Sequence, residues 1–353
     1  MAAIDAFLTE VLDKRGSDLH FIANDPPRIR QYGDLMPLRS EKLDPTMVRD
    51  ALYEIMPKLA IDRFETKEGA DFAYNMGERA RFRVNVLRHL HGMGAVFRAI
   101  PSKALTMDEL QLPESVRQMC RHTQGLILVT GKTGSGKSTT LAAMIDDINT
   151  RVQGHILTIE DPIEFVHVRK SCLISQREVG HHSPTFSAAL HSALREDPDV
   201  ILVGELRDLE TMSIAVTAAE MGILVMGTLH TNGAAQTVDR MINVFPSDKQ
   251  SHVRTMLSTS LRGVVSQQLL QRADKQGRVA ALEILVNNPA TSNLIRQGKL
   301  DQLENVMQAG GQFGMRTMDT AIQLLLDQRV ITGKEAFKKG INKAKFEPVR
   351  DQG

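Results

Sequence analysis

Gly131-Lys132-Thr133-Gly134-Ser135-Gly136-Lys137-Ser138 fits the phosphate-loop pattern G-x-x-x-x-G-K-[ST]. The apolar run 125–130 before it predicts a buried strand, and the segment 139–145 after it predicts a helix. Glycines let the backbone N–H groups of such a loop converge on a phosphate, and the N-terminus of the helix adds positive potential. A glycine-rich turn without a ligand is the alternative, but the flanking strand and helix favour nucleotide binding.

Two side chains of this stretch have expected roles. Lys137 is expected to reach the β- and γ-phosphates of ATP, and the Ser138 hydroxyl is expected to hold Mg²⁺. ATP and Mg²⁺ are therefore the predicted cofactors. The predicted nucleotide-binding residues are Gly131, Thr133, Gly134, Ser135, Gly136, Lys137, Ser138 and Thr139.

Composition limits the remaining possibilities. The 353 residues suggest about two domains, and 43 Lys and Arg against 42 Asp and Glu give no overall field that would attract nucleic acid. Trp is absent and there are only 3 Tyr, which leaves few platforms for stacking bases. Cys120 and Cys172 are expected to be buried apolar residues in a reducing cytosol. Because the sequence shows no signal peptide and no apolar run of ~20 residues, we expect a cytoplasmic protein that reaches a membrane only through a partner.

Sequence patterns divide the chain into a first region at 1–99, an ordered linker at 100–120 and a third region at 121–353. The first region mixes short alternating strands with a helix. The third alternates apolar strands with long helices, which is typical of an α/β fold with a parallel sheet. From about 290 the chain becomes helical and carries no chemical motif, so this tail either packs on the sheet or contacts a partner.

Local signals predict elements in the first region. Asp44 and Pro45 predict the start of a helix that runs toward Gly69. Antiparallel strands are predicted at 71–74, 81–86 and 94–97.

In the linker, Thr106 and Glu109 form a capping-box pattern. This pattern predicts a short helix between Pro101 and Pro113.

Polar residues follow four apolar strands of the third region, and parallel strands deliver such residues to one edge of a sheet. We therefore expect carboxylates, a histidine and a threonine beside the phosphates. Strand 126–130 ends at the phosphate loop, and the strands at 155–159, 200–204 and 223–229 end at Glu160-Asp161-Pro162-Ile163-Glu164, at Glu205 and at His230-Thr231.

Glu205 is the predicted metal-side acid, which holds Mg²⁺ directly or through water. Asp197 and Asp199 compete for this role, but they precede their strand. At ~3.3 Å per residue, this places them roughly 20 Å away at the opposite edge of the sheet.

Hydrolysis of ATP needs a carboxylate that orients and deprotonates water. Because Pro162 breaks the strand, Glu164 projects from a rigid loop, and we predict it as the base. Glu160 is predicted to be a metal-side or water-orienting group, and His230 to donate a hydrogen bond to the γ-phosphate. A solvated acidic turn and a structural histidine are the alternatives, and the roles of Glu164 and Glu205 could be exchanged.

In the segment 81–86, a period of two places apolar residues on one face and Arg83 on the other. By itself this is a half-exposed strand with solvated cations. Phosphoryl transfer gains from arginines near the γ-phosphate, and the phosphate loop supplies none. Arg83, with Arg98 at the end of the next strand, could therefore be supplied across a subunit boundary.

Together these motifs resemble the secretion ATPase superfamily, and most closely its type IV pilus retraction ATPases. The resemblance covers nearly the whole chain. It rests on Gly16–His20 as the N-terminal signature, Glu160–Glu164 as the aspartate box, Glu196–Asp208 as a Walker B with Glu205 in place of the ordinary Asp, and Gly227–Asn232 as the histidine box.

The resemblance implies a PAS-like α+β first domain and a RecA-like second domain. It also implies a hexameric ring with Arg83 and Arg98 acting in trans. The activity it implies is ATP hydrolysis that powers type IV pilus retraction and twitching motility, with a membrane-embedded pilus platform protein as partner at the inner membrane. The segment 290–299 resembles the family's A-I-R-N-L-I-R-E-like segment but differs from it at Thr291, Ser292 and Gln297. These differences concern the coupling of ATP hydrolysis to retraction rather than catalysis.

Three alternative functions fit parts of the pattern: a pilus-extension or type II secretion ATPase, a nucleic-acid translocase, and an assembly factor that binds ATP without appreciable turnover. Balanced charge and few aromatic residues count against the translocase. The pair Glu164 and Glu205 counts against the assembly factor. A retraction-type motor is favoured because the sequence shows no large additional N-terminal domain.

Overall fold

A computed structural model describes residues 2–31, 33–66, 69–77, 79–100 and 104–351. The chain forms two compact units, Met1–Lys103 and Ala104–Gly353. Pro101, which marked one end of the predicted linker helix, lies outside the described residues. None of the helices in the described part of the chain is long and apolar enough to cross a membrane.

The first unit is an antiparallel sheet with helices packed on it. Its described strands lie in the order β3-β2-β1-β6-β5-β4. Leu8, Phe21, Leu52 and Phe97 belong to the apolar cluster that joins the sheet to the helices. The elements are α1 (Asp5–Asp13), β1 (Asp18–Ile22), β2 (Arg28–Gln31), β3 (Asp34–Pro37), α2 (Pro45–Ile55), α3 (Lys58–Thr66), β4 (Gly69–Met76), β5 (Ala80–His89) and β6 (Gly92–Ile100).

The helix predicted from Asp44 toward Gly69 is two helices. The Asp44 carboxylate accepts hydrogen bonds from the N–H groups of Thr46 and Met47, so the predicted N-cap is present. Helix α2 ends at Ile55, and α3 begins after Pro57. A proline has no N–H to donate to the preceding turn, which is why the periodic pattern did not give one continuous helix.

The second unit contains the parallel sheet predicted for the third region. Among its described strands the order is β13-β12-β7-β11-β10-β8-β9, with only the edge strand β13 antiparallel to its neighbour. The elements are α4 (Glu114–Met119), β7 (Gly125–Thr130), α5 (Lys137–Arg151), β8 (His155–Glu160), β9 (Leu173–Glu178), α6 (Phe186–Ala193), β10 (Val200–Val203), α7 (Leu209–Glu220), β11 (Leu224–Leu229), α8 (Ala234–Asn243), α9 (Ser247–Ser260), β12 (Leu261–Gln271), β13 (Arg278–Val286), α10 (Pro289–Gln297), α11 (Leu303–Ala309), α12 (Met318–Asp327), α13 (Gly333–Lys339) and α14 (Lys343–Phe346).

Residues assigned to the linker pack into the second unit. Met107, Val116 and Met119 are buried in the apolar cluster beneath β7 and α5. The capping-box hydrogen bonds are present: the Thr106 N–H donates to Glu109 Oε2 at 2.7 Å, and the Glu109 N–H donates to Thr106 Oγ1 at 3.1 Å. However, they close a turn at 107–111 and not the predicted helix, because the backbone turns left-handed at residue 111, with φ 52°.

The C-terminal tail packs on the sheet. Met318, Ile322 and Phe346 form an apolar cluster with Leu270 of β12 and Ala281 of β13. This supports the packing interpretation of the tail and does not test contact with a partner.

One buried carboxylate, Glu283 of β13, links the tail to the sheet. It accepts hydrogen bonds from the N–H groups of Ala234, where α8 begins, and Met318, where α12 begins. Burial raises the pKa of Glu283, and these two hydrogen bonds oppose the shift.

Candidate nucleotide site

The phosphate loop joins β7 to α5, and β12 packs against it. Gly131 and Gly136 have φ values of 139° and 90°, which side chains rarely adopt. A Cβ at Gly131 would lie 2.4 Å from the carbonyl oxygen of Gln267, and one at Gly136 would lie 2.7 Å from its Nε2. Glycine is therefore required at both positions by conformation and by the close approach of β12.

Gln267 is a contact of the loop that sequence reasoning missed. Its side chain is buried, and its Oε1 accepts a hydrogen bond from the Thr140 hydroxyl of α5 at 2.7 Å. This hydrogen bond fixes the amide so that Nε2 lies against Gly136. The sequence carried little signal for this contact, because Gln267 lies between Ser266 and Gln268 in a segment of mixed polarity. Its position becomes meaningful only once β12 is known to lie beside β7.

Lys137 begins α5 and is buried. Its ammonium donates hydrogen bonds to the carbonyl oxygens of Gly131, at 3.0 Å, and Lys132, at 3.4 Å. Burial lowers the pKa of Lys137, whereas the charges of Glu205 and Glu164 raise it. The cation is thus held at the loop with both predicted carboxylates close enough to act on it.

Two serines of the loop are suited to a nucleotide and its metal ion. The Ser135 hydroxyl is buried and has no hydrogen-bond partner among the described residues, so it is available to a phosphate. Ser138 lines a cavity of about 30 Å³ together with Glu160 and Thr228. The described residues contain no group of His, Cys, Asp or Glu that could hold a metal by itself. The Ser138 hydroxyl is an oxygen ligand of the kind that Mg²⁺ takes, and Mg²⁺ is commonly held by few protein ligands together with substrate phosphates and water.

Glu205 and His230 meet at the carboxyl edge of the sheet. Glu205 follows Gly204 after β10, and its Oε1 lies 3.3 Å from His230 Nε2. His230 Nδ1 lies 3.5 Å from the Thr133 hydroxyl, so the histidine connects Glu205 with the phosphate loop. The second oxygen of Glu205 pairs with Arg207 Nε at 2.7 Å, a contact that the sequence analysis did not predict.

Glu160 and Glu164 have different surroundings. Glu160 ends β8 and is buried, with Oε1 accepting from the Thr158 hydroxyl at 2.7 Å and Oε2 from the Glu164 N–H at 3.1 Å. Burial raises the pKa of Glu160, and these hydrogen bonds lower it. Both oxygens therefore bind the chain itself, whereas Glu164 is exposed.

Two further predictions concern residues away from these carboxylates. The Asp199 carboxylate accepts a hydrogen bond from the His155 N–H at 2.7 Å, at the amino end of β8, which confirms that Asp199 lies at the opposite edge of the sheet.

In the first unit, Arg83 and Arg98 are paired across the neighbouring strands β5 and β6. Arg98 Nε pairs with Asp18 at 2.9 Å, whereas Arg83 is exposed and has no ion pair among the described residues.

The family model described as "Type II/IV secretion system protein" matches residues 1–311. The chain belongs to this family. It is 50% identical to the type IV pilus retractation ATPase PilT of Pseudomonas aeruginosa over 94% of this chain and 97% of that protein. It is 49% identical to a twitching motility protein of Neisseria gonorrhoeae over 91% of this chain and 86% of that protein. The crystal structure of the pilus retraction motor PilT with bound ADP matches with a TM-score of 0.91 at 40% identity, over 99% of each chain.

These comparisons confirm three expectations from the sequence: the resemblance to pilus retraction ATPases, the activity as an ATPase, and the fold class. The RecA-like ATPase domain with its C-terminal helices is thus preceded by the smaller PAS-like α+β domain. The catalytic roles of individual residues stay predictions.

Proposed function

We propose that this chain is the Mg²⁺-dependent ATPase that powers type IV pilus retraction and twitching motility. The observation that carries the proposal is the convergence of Lys137, Glu205 and His230 on the phosphate loop. The resemblance in sequence to a pilus retractation ATPase along nearly the whole chain supports the assignment to retraction.

In the proposed reaction, the loop N–H groups and Lys137 bind the phosphates of ATP. Ser138 and Glu205 would hold Mg²⁺, which would supply positive charge to neutralise the phosphate oxygens. Glu164, whose side chain is exposed, accepts the proton of the attacking water. Glu160 orients Glu164 by accepting its backbone N–H.

His230 and Arg207 hold the Glu205 carboxylate from two sides. His230 also approaches Thr133 of the loop, which supports a role for it in responding to the state of the nucleotide. We therefore assign it the contact with the γ-phosphate.

The motor is proposed to be a six-membered ring at the cytoplasmic side of the inner membrane, acting on a pilus platform protein. Arg83 and Arg98 of one copy would stabilise the charge that develops at the nucleotide of the next. The exposure of Arg83 without an ion pair among the described residues supports this role.

The test is complementation of a piliated host strain whose own retraction ATPase has been deleted. We expect this chain to restore twitching, and Lys137→Ala to leave the cells piliated and immotile. Pili that are lost when the gene is deleted from its own host would identify an extension motor and overturn the proposal. ATPase activity stimulated by DNA in a salt-sensitive way would identify a translocase.

A further inference from the structure

A second pocket in the ATPase unit is lined by residues outside the phosphate loop. It has a volume of about 270 Å³ and is formed by the turn before α4, by β13 and by α12. Its lining includes Leu110, Pro113, Leu282, Leu324, Leu325 and Arg316. None of the motifs of the nucleotide site contributes to it.

Arg316 is held in a fixed orientation at this pocket. Its backbone exchanges two hydrogen bonds with Ile284, one from the Ile284 N–H at 2.9 Å and one to the Ile284 carbonyl at 3.1 Å. Its Nε donates to the carbonyl oxygen of Leu282 at 2.9 Å. With backbone and Nε both fixed, the two Nη groups are the part of the guanidinium left to bind something else.

The charge of Arg316 has no counterpart within the described residues. No carboxylate of this part of the chain pairs with it, and the lining of the pocket contains no Asp or Glu. Burial lowers the pKa of Arg316. A partly buried charge without a partner is unfavourable, and an anion in the pocket would remove that cost.

The chemistry of the lining selects among anions. A guanidinium presents two parallel N–H groups that match a carboxylate or a phosphate. The lining contains no Lys and no second Arg, so one cation would face the ligand, which favours a singly charged group over a doubly charged phosphate. Pro113, Leu324 and Leu325 offer an apolar surface for the remainder of the ligand, beside the amides of Gln111 and Gln328.

We propose that the Arg316 pocket binds a small monocarboxylate with a compact apolar body. The carboxylate pairs with the two Nη groups of Arg316, and the apolar body packs between Pro113 and α12. A volume of about 270 Å³ lies below the ~300–1,000 Å³ that is usual for pockets of larger ligands, so the ligand is smaller than a nucleotide.

The test uses 4-fluorobenzoate as the probe and fluorine NMR line broadening as the readout. The full chain is saturated with ADP and Mg²⁺, so that the phosphate loop is not free to bind the probe. The variants are Arg316→Met and the matched control Arg278→Met, which removes the same charge from an exposed position on β13. We expect Arg316→Met to weaken binding at least about tenfold and Arg278→Met to leave it unchanged.

Two further probes and one further variant define the chemistry. Neutral 4-fluorobenzamide should bind much more weakly than 4-fluorobenzoate, and so should 4-fluorophenyl phosphate. Leu324→Trp, at a partly exposed position in the lining, should block the pocket without removing Arg316, and serves if Arg316→Met fails to fold.

Equal binding to wild type and Arg316→Met, or no binding at millimolar concentration, would overturn the proposal. Equal binding of the amide would reduce the site to an apolar cleft, and tighter binding of the phosphate would contradict the assignment to a carboxylate.

Discussion

Glu164 and Glu205 differ in what surrounds their carboxylates. Glu205 is held by Arg207 and His230, whereas Glu164 is exposed on the loop after β8. We therefore expect Glu164→Gln to bind ATP and Mg²⁺ but to hydrolyse it at least about a hundredfold more slowly, because the base is lost. Lys137→Ala should lose both binding and hydrolysis.

Nucleotide affinity and steady-state turnover, measured separately for each variant, check this prediction. The roles would be reversed if Glu164→Gln hydrolysed ATP at the wild-type rate while Glu205→Gln bound ATP normally without turnover.

His167, which lines the cavity beside Ser138 and Glu160, carries a prediction about pH. Burial lowers its pKa to about 4, and the charge of Asp146 opposes the shift. Between pH 6.5 and 4 the unfolded chain therefore binds a proton that the folded chain does not. The free energy of unfolding should fall by up to about 3 kcal/mol as the pH drops through this range.

The pKa values of Glu160 and Glu283 are raised, so these groups give stability that increases as the pH falls and partly mask the effect of His167. The measurement is therefore a comparison of urea unfolding between wild type and His167→Gln at pH 7 and pH 4.5. The difference between the two proteins should change with pH, and the exposed control His191→Gln should show no such change. A pH-independent difference would contradict the assignment to His167.

At the scale of elements, β12 supports the phosphate loop through Gln267. Gln267→Ala removes the amide that lies against Gly136 and the acceptor of the Thr140 hydroxyl. We expect the affinity for ADP to fall about five- to tenfold, because the loop is less well positioned.

Titration with a fluorescent ADP analogue checks this prediction. Thr140→Val should weaken ADP binding in the same direction, since it frees the amide to rotate. Gln268→Ala, at the next and less buried position of the strand, is the matched control and should bind ADP normally. Unchanged affinity in Gln267→Ala would show that the contact is only structural.

Sequence patterns predicted well those strands whose residue types are determined by burial alone. Strands β7, β10 and β11 are buried along their whole length and contain no polar residue except Thr130 and Thr228. The strand ends then followed from parallel topology, which is why Glu205 and His230 were predicted to meet.

Sequence patterns did not predict β3, β12 and β13 or the turn at Gln111, and the physical reasons differ. In β12 and β13, Gln267 and Glu283 interrupt the apolar pattern because they contact the phosphate loop and two helix N-termini. Strand β3 is exposed at every position, so it shows no alternation. The Thr106 capping box formed its hydrogen bonds, but a local pattern could not reveal that the chain turns at Gln111.

At the scale of the whole molecule, the proposed ring requires each nucleotide site to be completed by the next copy. Arg83→Ala and Arg98→Ala should therefore reduce turnover while each chain still folds. A complete arginine finger is worth on the order of 10³–10⁵ in rate, and two arginines that share the task are worth less each.

Mixed rings test whether the arginine acts in trans. An Arg83→Ala chain keeps its phosphate loop and a Lys137→Ala chain keeps its arginines, so some interfaces of a mixed ring contain both. Co-assembled rings should recover part of the ATPase activity that neither parent shows. If mixing is verified and no activity returns, Arg83 acts within its own chain or has a structural role.

The carboxylate of Glu283 joins the beginning of α12 to the beginning of α8, which follows the histidine box. The family model ends at residue 311, before α12. A recombinant chain shortened to that limit would retain every nucleotide-binding motif. The truncation would nevertheless expose Leu270 and Ala281 to solvent. It would also remove the Met318 N–H that donates to Glu283 Oε2. Shortened versions made for crystallisation or for display should therefore aggregate, and fluorescent labels or fusion partners belong after the last helix rather than in place of it.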